Sequence, residues 1–294
     1  MKLTAGASGV IDLLTAAVDD LERHVVFHPG VAASSHTVVA ITGVDSAAVP
    51  VALGRYLVGA LSGAVQLDAQ LSQDMLAEGV DRREEIRRTV ESLIGSHNSF
   101  TTKAERLFRD TRRNAWMGEG VGHALLALSA RRETSCVDGQ VCTLSEIHET
   151  PNRQGLDSVS TYVQAGVLGV AIGESKSTAS NVNANLGSAA NLFIDVEQGV
   201  HGPDLRSRLM AFRPILAPGL KEQVKDSLWS ENASYLPIIV YQDAGDFTVT
   251  RAKFNKLKTP LQRRRLIVVE LTDFHRFFDA VADAMRQAVS EVVV

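Results

Sequence analysis

A glutamate and a lysine stand two residues apart at the end of an apolar run. The stretch from Gly166 to Ser177, GVLGVAIGESKS, closes on Glu174-Ser175-Lys176. A run of this length, bounded by glycine and rich in Val and Ile, predicts a buried strand. Side chains alternate along a strand, so Glu174 and Lys176 share one face and Ser175 takes the other. A carboxylate and an ammonium then leave the strand side by side, and charges are rarely set at the edge of a core without a use. Upstream, Asp157 lies in GLDSVSTYV, where Leu156, Val159 and Val163 supply apolar positions within a polar alternation. Gln164-Ala165-Gly166 has the length and the glycine of a hairpin turn. Folding about that turn brings positions that sum to 331 face to face, and Asp157 and Glu174 do so. Their Cβ atoms are then expected about 5 Å apart. Carboxylates so placed repel unless a divalent cation, Mg²⁺ or Mn²⁺, sits between them. Lys176 stands beside that position, able to orient a water or offset charge on a phosphate.

Asp157, Glu174 and Lys176 match the D…ExK pattern of the PD-(D/E)xK nuclease superfamily. More narrowly, GLDSV together with GVAIGESKS resembles the HamA nuclease subunits of Hachiman antiphage defence systems, over about Trp116 to the end of the chain. The resemblance implies a restriction-endonuclease-like fold and metal-dependent cutting of DNA. It also implies a HamB-like helicase partner that restrains the nuclease and supplies its DNA. Nucleases of this superfamily often bring a further carboxylate from the helix before the motif strands, and Glu119 matches that role by position. Glu119 is equally a glutamate favoured near a helix N-terminus by the macrodipole. No glutamine of the kind some superfamily branches carry stands after Lys176, and residues 1–105 hold no matching motif.

Other chemistry is open to the same residues. Glu146 and Glu149, near the end of a strand predicted over Val141 to Ile147, are placed either to join the metal site or to face solvent. Gly173-Glu174-Ser175-Lys176-Ser177 looks like a nucleophile elbow with Ser175 as nucleophile, but Ser177 stands where the closing glycine belongs. A third reading keeps the strand as structure alone, in a non-enzymatic interaction subunit where Glu174 and Lys176 are simply an ion pair.

The elements that position these residues are legible from periodicity. Asn114 to Arg132 and Ala179 to Val200 predict helices on either side of the motif hairpin. Leu236 to Tyr241 and Leu266 to Glu270 predict buried strands, the first parallel to the motif strands through a right-handed crossover. Phe274 onward predicts a C-terminal helix. This order is an α/β layout with a mixed sheet flanked by helices, assigned to residues 106–294. Residues 1–105 read as a separate N-terminal scaffold or docking region, α/β or mostly helical. It has a helix through Val10 to Leu21, a strand over His36 to Gly43, a helix over Val49 to Val65 and a charged helix or helix pair over Leu71 to Ile94. Two basic runs, Arg106/Arg109/Arg112/Arg113 and Arg263-Arg264-Arg265, are either DNA-backbone contacts or solvated surface.

A net charge of −4 gives no overall attraction to nucleic acid and fits a subunit to which DNA is delivered. Cys136 and Cys142 flank VDGQV; they read as a thiol pair rather than a disulfide or a zinc site. No apolar run approaches membrane-spanning length, and VIDLLTAAVDD is broken by Asp12 and Asp19 and reads as an amphipathic helix rather than a signal. A cytoplasmic location is the expectation.

Overall fold

Four strands at the middle of the sheet are parallel and almost wholly apolar: β3 (Thr37–Thr42), β8 (Arg265–Glu270), β7 (Ala233–Tyr241) and β6 (Val167–Thr178). Every residue of β7 is buried, as a strand covered on both faces requires. Pro237 lies inside it and has no N–H to donate. The β7–β8 ladder accordingly runs from Ile238 to Tyr241, with only an isolated bridge at Tyr235 before it. Antiparallel strands complete both sides. β5 (Ser158–Gln164) pairs with β6 and β4 (Gln140–Leu144) with β5, while β1 (Val26–Phe27) and β2 (Val31–Ala32) pair with β3. This computed structural model describes residues 5–62, 83–132, 135–149, 155–242 and 245–291.

Helices cover both faces of the curled sheet. On one side lie α1 (Ala5–His24), α2 (Ala48–Leu61), α3 (Arg83–Ile94), α5 (Asn114–Ser129) and α10 (Phe274–Glu291), packed on Val39, Ile41, Ala171, Ile238, Val240 and Ile267. On the other, α6 (Val182–Glu197), α7 (Gly202–Phe212) and the short α8 (Pro218–Lys221) and α9 (Leu228–Asn232) join one core with Val159, Val170, Ile172, Ile239 and Val268. The fold is thus α/β, with a mixed sheet between helical layers. The described part of residues 1–105, expected as a separate region, does not stand apart: β3 pairs in parallel with β8, and α1 and α2 share one core with α5 and α10. A strand that pairs only with a distant C-terminal partner carries no local sign of which sheet it joins. Of the charged helix expected over Leu71 to Ile94, the part from Arg83 is helical, with Glu84, Arg87, Arg88 and Glu91 in exposed ion pairs. The remainder lies outside the described residues.

The second expected basic run is built into the fold, whereas in the first only Arg113 is, and Arg106 and Arg112 are exposed. Arg113 is fully buried; it donates to Asp279 at 2.6 Å, to Asn98 and to Asn114, and lies 4.6 Å from the Phe100 ring centre. It ends a turn of π-helix, Arg109–Arg113, that runs directly into α5 after the short α4 (Lys103–Phe108). Arg265 donates to the carbonyls of Ser135 and Cys136 and to Asp138, and Arg264 to those of Thr259, Leu257 and Phe254. A guanidinium with five donors satisfies several loop carbonyls at once, which is why these arginines turn inward. Cys136 and Cys142 are both free thiols.

Candidate active site

The hairpin forms in the expected register. Ser158 faces Gly173 and Gln164 faces Val167, every pair summing to 331. The loop is two residues long; Ala165 at φ 49° and Gly166 at φ 79° give the positive dihedrals that match the twist of the flanking strands. Asp157 is the residue just before β5, opposite Glu174. Beyond Gly173, β6 continues to Thr178 along β7, and among the described residues it has no strand partner on its β5 side. Asp157 fills the first part of that open edge: its Oδ2 accepts from the Ser175 N–H at 2.8 Å. The N–H and C=O of one strand residue point the same way, so the Ser175 carbonyl also faces this edge.

Glu174 is 5% exposed and Lys176 half-buried, and they sit on the same strand face, with Lys176 Nζ donating to Glu174 Oε1 at 2.6 Å. The second carboxylate oxygen, Oε2, is buried with no hydrogen-bond partner. An ionised oxygen left this way is costly unless a cation or donor meets it. Burial works against the Lys176 charge, but attraction by Glu174 and then by Asp157 outweighs it and raises its pKa. Lys176 is therefore an ammonium at neutral pH, suited to balancing negative charge and not to taking a proton. Asp157 is pushed up to about 7, first by burial and then by repulsion from Glu174, against Lys176, the Ser175 N–H and His148.

Glu119 reaches the same field from α5. Two glycines let that helix approach β6: a Cβ on Gly122 would lie 2.3 Å from Ser175 Oγ, and one on Gly118 would lie 2.7 Å from Ser177 Cβ. Ser177 Oγ also donates to the Asn114 carbonyl at 2.9 Å. Burial, then repulsion from Asp157 and, less strongly, from Glu174, pushes Glu119 up to about 8, with Lys176 opposing. Glu119 is thus electrically part of the site. Among the described residues, however, no three His, Cys, Asp or Glu side chains are gathered closely enough to hold a metal ion.

The remaining candidates fall elsewhere. Ser175 is buried and faces α5, inside a strand that runs on to Thr178, so the strand-to-helix turn of a nucleophile elbow is not formed. Glu146 and Glu149 are exposed and line a separate cleft of about 620 Å³ with His148, Asp204 and Arg208. His123 is held by the Tyr56 hydroxyl and the Ser145 carbonyl. Asn181 occupies the N-cap of α6 with φ 66° but makes no capping bond.

Two residues not foreseen hold the segment that carries Asp157. The Leu156 carbonyl accepts from Arg208 Nη2 at 3.0 Å and pairs with His148 Nε2 at 3.1 Å. Arg208 also donates to Asp204 and Ser145, and the His148 carbonyl accepts from Trp116 Nε1 at 2.7 Å. Arg208 lies on α7, far along the chain, and no motif announces it.

No protein-family model matches this chain, and no curated protein matches it. No helix among the described residues is long and apolar enough to cross a membrane.

Proposed function

We propose that this chain is a divalent-metal-dependent phosphodiesterase acting on DNA, with a restriction-endonuclease-like fold of the PD-(D/E)xK type. The observation that carries the reading is the Glu174 carboxylate: buried, bound to Lys176 through one oxygen, and left without a partner on the other, opposite Asp157. Glu174 and Asp157, with the Ser175 carbonyl, offer the hard oxygen donors that Mg²⁺ or Mn²⁺ takes, and Mg²⁺ keeps waters in its remaining positions and needs only one or two carboxylates. A divalent ion there would polarise a phosphate and lower the pKa of a bound water. Lys176, held cationic by Glu174 and Asp157, offsets the charge that builds on the phosphate. Glu119 binds a proton more tightly than an ordinary carboxyl and would exchange it with a water at the site. The likeness of GLDSV and GVAIGESKS to Hachiman nuclease subunits extends the proposal to antiphage defence beside a helicase that delivers DNA.

The close Glu174–Lys176 pair also supports a second reading, in which the pair neutralises itself and the chain is a non-enzymatic interaction subunit. The experiment is cleavage of supercoiled and linear DNA with Mg²⁺ or Mn²⁺ against EDTA, alone and with a helicase partner. Wild type, Glu174→Ala, Lys176→Ala and Ser175→Ala run together. Metal-dependent cutting, lost in the first two variants and kept in Ser175→Ala, is the expected result. No cutting in either setting, with no Mn²⁺ binding dependent on Asp157 and Glu174, leaves the interaction-subunit reading.

A further inference from the structure

Between Phe247 and Arg265 the sequence carries seven basic residues and no acidic one, in a chain whose net charge is −4. The structure divides them. Arg263, Arg264 and Arg265 are bound to carbonyls and side chains of the fold. Arg251, Lys253, Lys256 and Lys258 instead run beside α6. Arg251 Nη1 donates to Asn183 Oδ1 at 2.7 Å in the first turn of that helix, and Lys253 Nζ to the Gly187 carbonyl at 3.1 Å one turn on. At the far end, Glu197 accepts from the main-chain N–H groups of Lys258 and Thr259. The segment therefore follows α6 from start to end.

The three lysines are exposed, and among the described residues none of the four cations is in an ion pair. Glu197, at the far end, is already engaged by backbone donors, and Asp246, which lies in the field of Arg251, by Thr248. The exposed lysines, without ion-pair partners, repel one another, and a polyanion relieves that repulsion. The row spans the length of α6 from Asn183 to Glu197, about 21 Å at 1.5 Å per residue, which is the axial length of about six base pairs. It starts close to the site, since β6 ends at Thr178 and α6 begins at Val182. A 3₁₀ turn within it, Phe254–Lys256, and the buried Phe254 and Leu257 side chains order it as a surface segment.

We infer that the segment from Arg251 to Lys258 is the track on which this chain holds the phosphate backbone of duplex DNA leading away from the Glu174–Lys176 site. The inference rests on the DNA-cleaving reading for its direction, but its test does not depend on cleavage. Binding of a fluorescently labelled duplex of about 24 base pairs is followed by anisotropy in EDTA, across about 50 to 200 mM salt. The triple variant Lys253→Gln/Lys256→Gln/Lys258→Gln should bind about tenfold more weakly at the lowest salt. Its log–log salt slope should be shallower by about 2 to 3, at roughly 0.9 for each phosphate contact removed. Arg106→Gln/Arg112→Gln, at the other basic run, should bind within about twofold of wild type, and both variants should unfold at the wild-type temperature.

Wild-type affinity and slope in the lysine variant would overturn the inference, as would a wild type that does not bind the duplex. Displacement of the DNA by polyglutamate at equal charge would assign the row to an acidic protein partner instead. Weakened binding in the lysine variant, with no metal-dependent cleavage by wild type, would keep the track and remove the nuclease. Cleavage lost in Glu174→Ala, with unchanged binding in the lysine variant, would do the reverse.

Discussion

Replacing Glu119 by Gln should stabilise the metal-free protein at alkaline pH and leave it unchanged in acid. Burial is the first cause that lifts the Glu119 carboxyl from its ordinary 4.5 to about 8, and repulsion from Asp157 is the second. A carboxyl that holds its proton more tightly folded than unfolded takes up a proton on folding. Its contribution is therefore fully present below the unfolded value and is lost as pH rises through the folded one. Each pH unit inside that window costs about 1.4 kcal/mol for one group, so ionising Glu119 costs at most about 5 kcal/mol. Part of that is repulsion shared with Asp157, and the side chain is half-buried. A gain of about 2 to 3 kcal/mol for the neutral isostere at about pH 8 is the working figure. At about 2 to 4 °C per kcal/mol, Glu119→Gln should melt about 4 to 12 °C above wild type near pH 8, and together with it near pH 4. The assay is thermal unfolding in EDTA across that range. Saturating Mn²⁺ should narrow the gap, because a cation at the open edge offsets the repulsion that the substitution removes. Parallel melting curves for the two proteins at every pH would refute the electrostatic reasoning and detach Glu119 from Asp157 and Glu174.

Two further outcomes follow from the backbone around the site. Gly122→Ala puts a Cβ 2.3 Å from Ser175 Oγ and 2.9 Å from Ile238 Cδ1, so α5 must lift from β6. Denaturant unfolding should show a loss of about 1 to 3 kcal/mol, and metal-dependent activity should fall as Glu119 moves with the helix. Ala165→Gly should stabilise by about 1 kcal/mol, since Ala165 holds φ 49° in the hairpin loop where glycine carries no Cβ penalty; equal unfolding midpoints would contradict it.

How far the sequence could be read depended on the range of the interaction. The β5–β6 hairpin is local, and a two-residue loop fixes its register, so Asp157 could be set against Glu174 by counting from Gly166. The parallel strands were visible as apolar runs because both faces are covered, and Leu236 to Tyr241 falls inside the observed β7. What could not be read was which strands meet. β3 joins β8 across more than two hundred residues, so the early helices looked like a region of their own. The arginines misled for a related reason. Arg113 and Arg265 look like surface charge in a string of letters, yet each meets partners supplied by remote loops and helices. Arg208 and His148, which hold the Leu156 carbonyl next to Asp157, have no spacing that could have pointed to them.

The open edge of β6 explains why a site can form here at all. Strand β5 begins one residue after Asp157, while β6 runs five residues beyond Gly173, its last residue paired with β5. Had β5 started earlier, its main chain would have paired with Ser175 and closed the edge. Instead the Asp157 carboxylate takes the Ser175 N–H, and β7 pairs with the tail that carries Glu174 and Lys176. A side chain standing in for a strand leaves the Ser175 carbonyl at that edge, next to the residue whose Oε2 is buried without a partner. With β6 held on β7, moving the hairpin register by one residue would carry Asp157 out of line with Glu174 and turn the side chains of β5 to its opposite face. The two-residue turn at Ala165-Gly166 therefore sets the site as firmly as the charged residues themselves do. Lengthening that turn by one residue should abolish Mn²⁺ binding while the sheet still folds on β7.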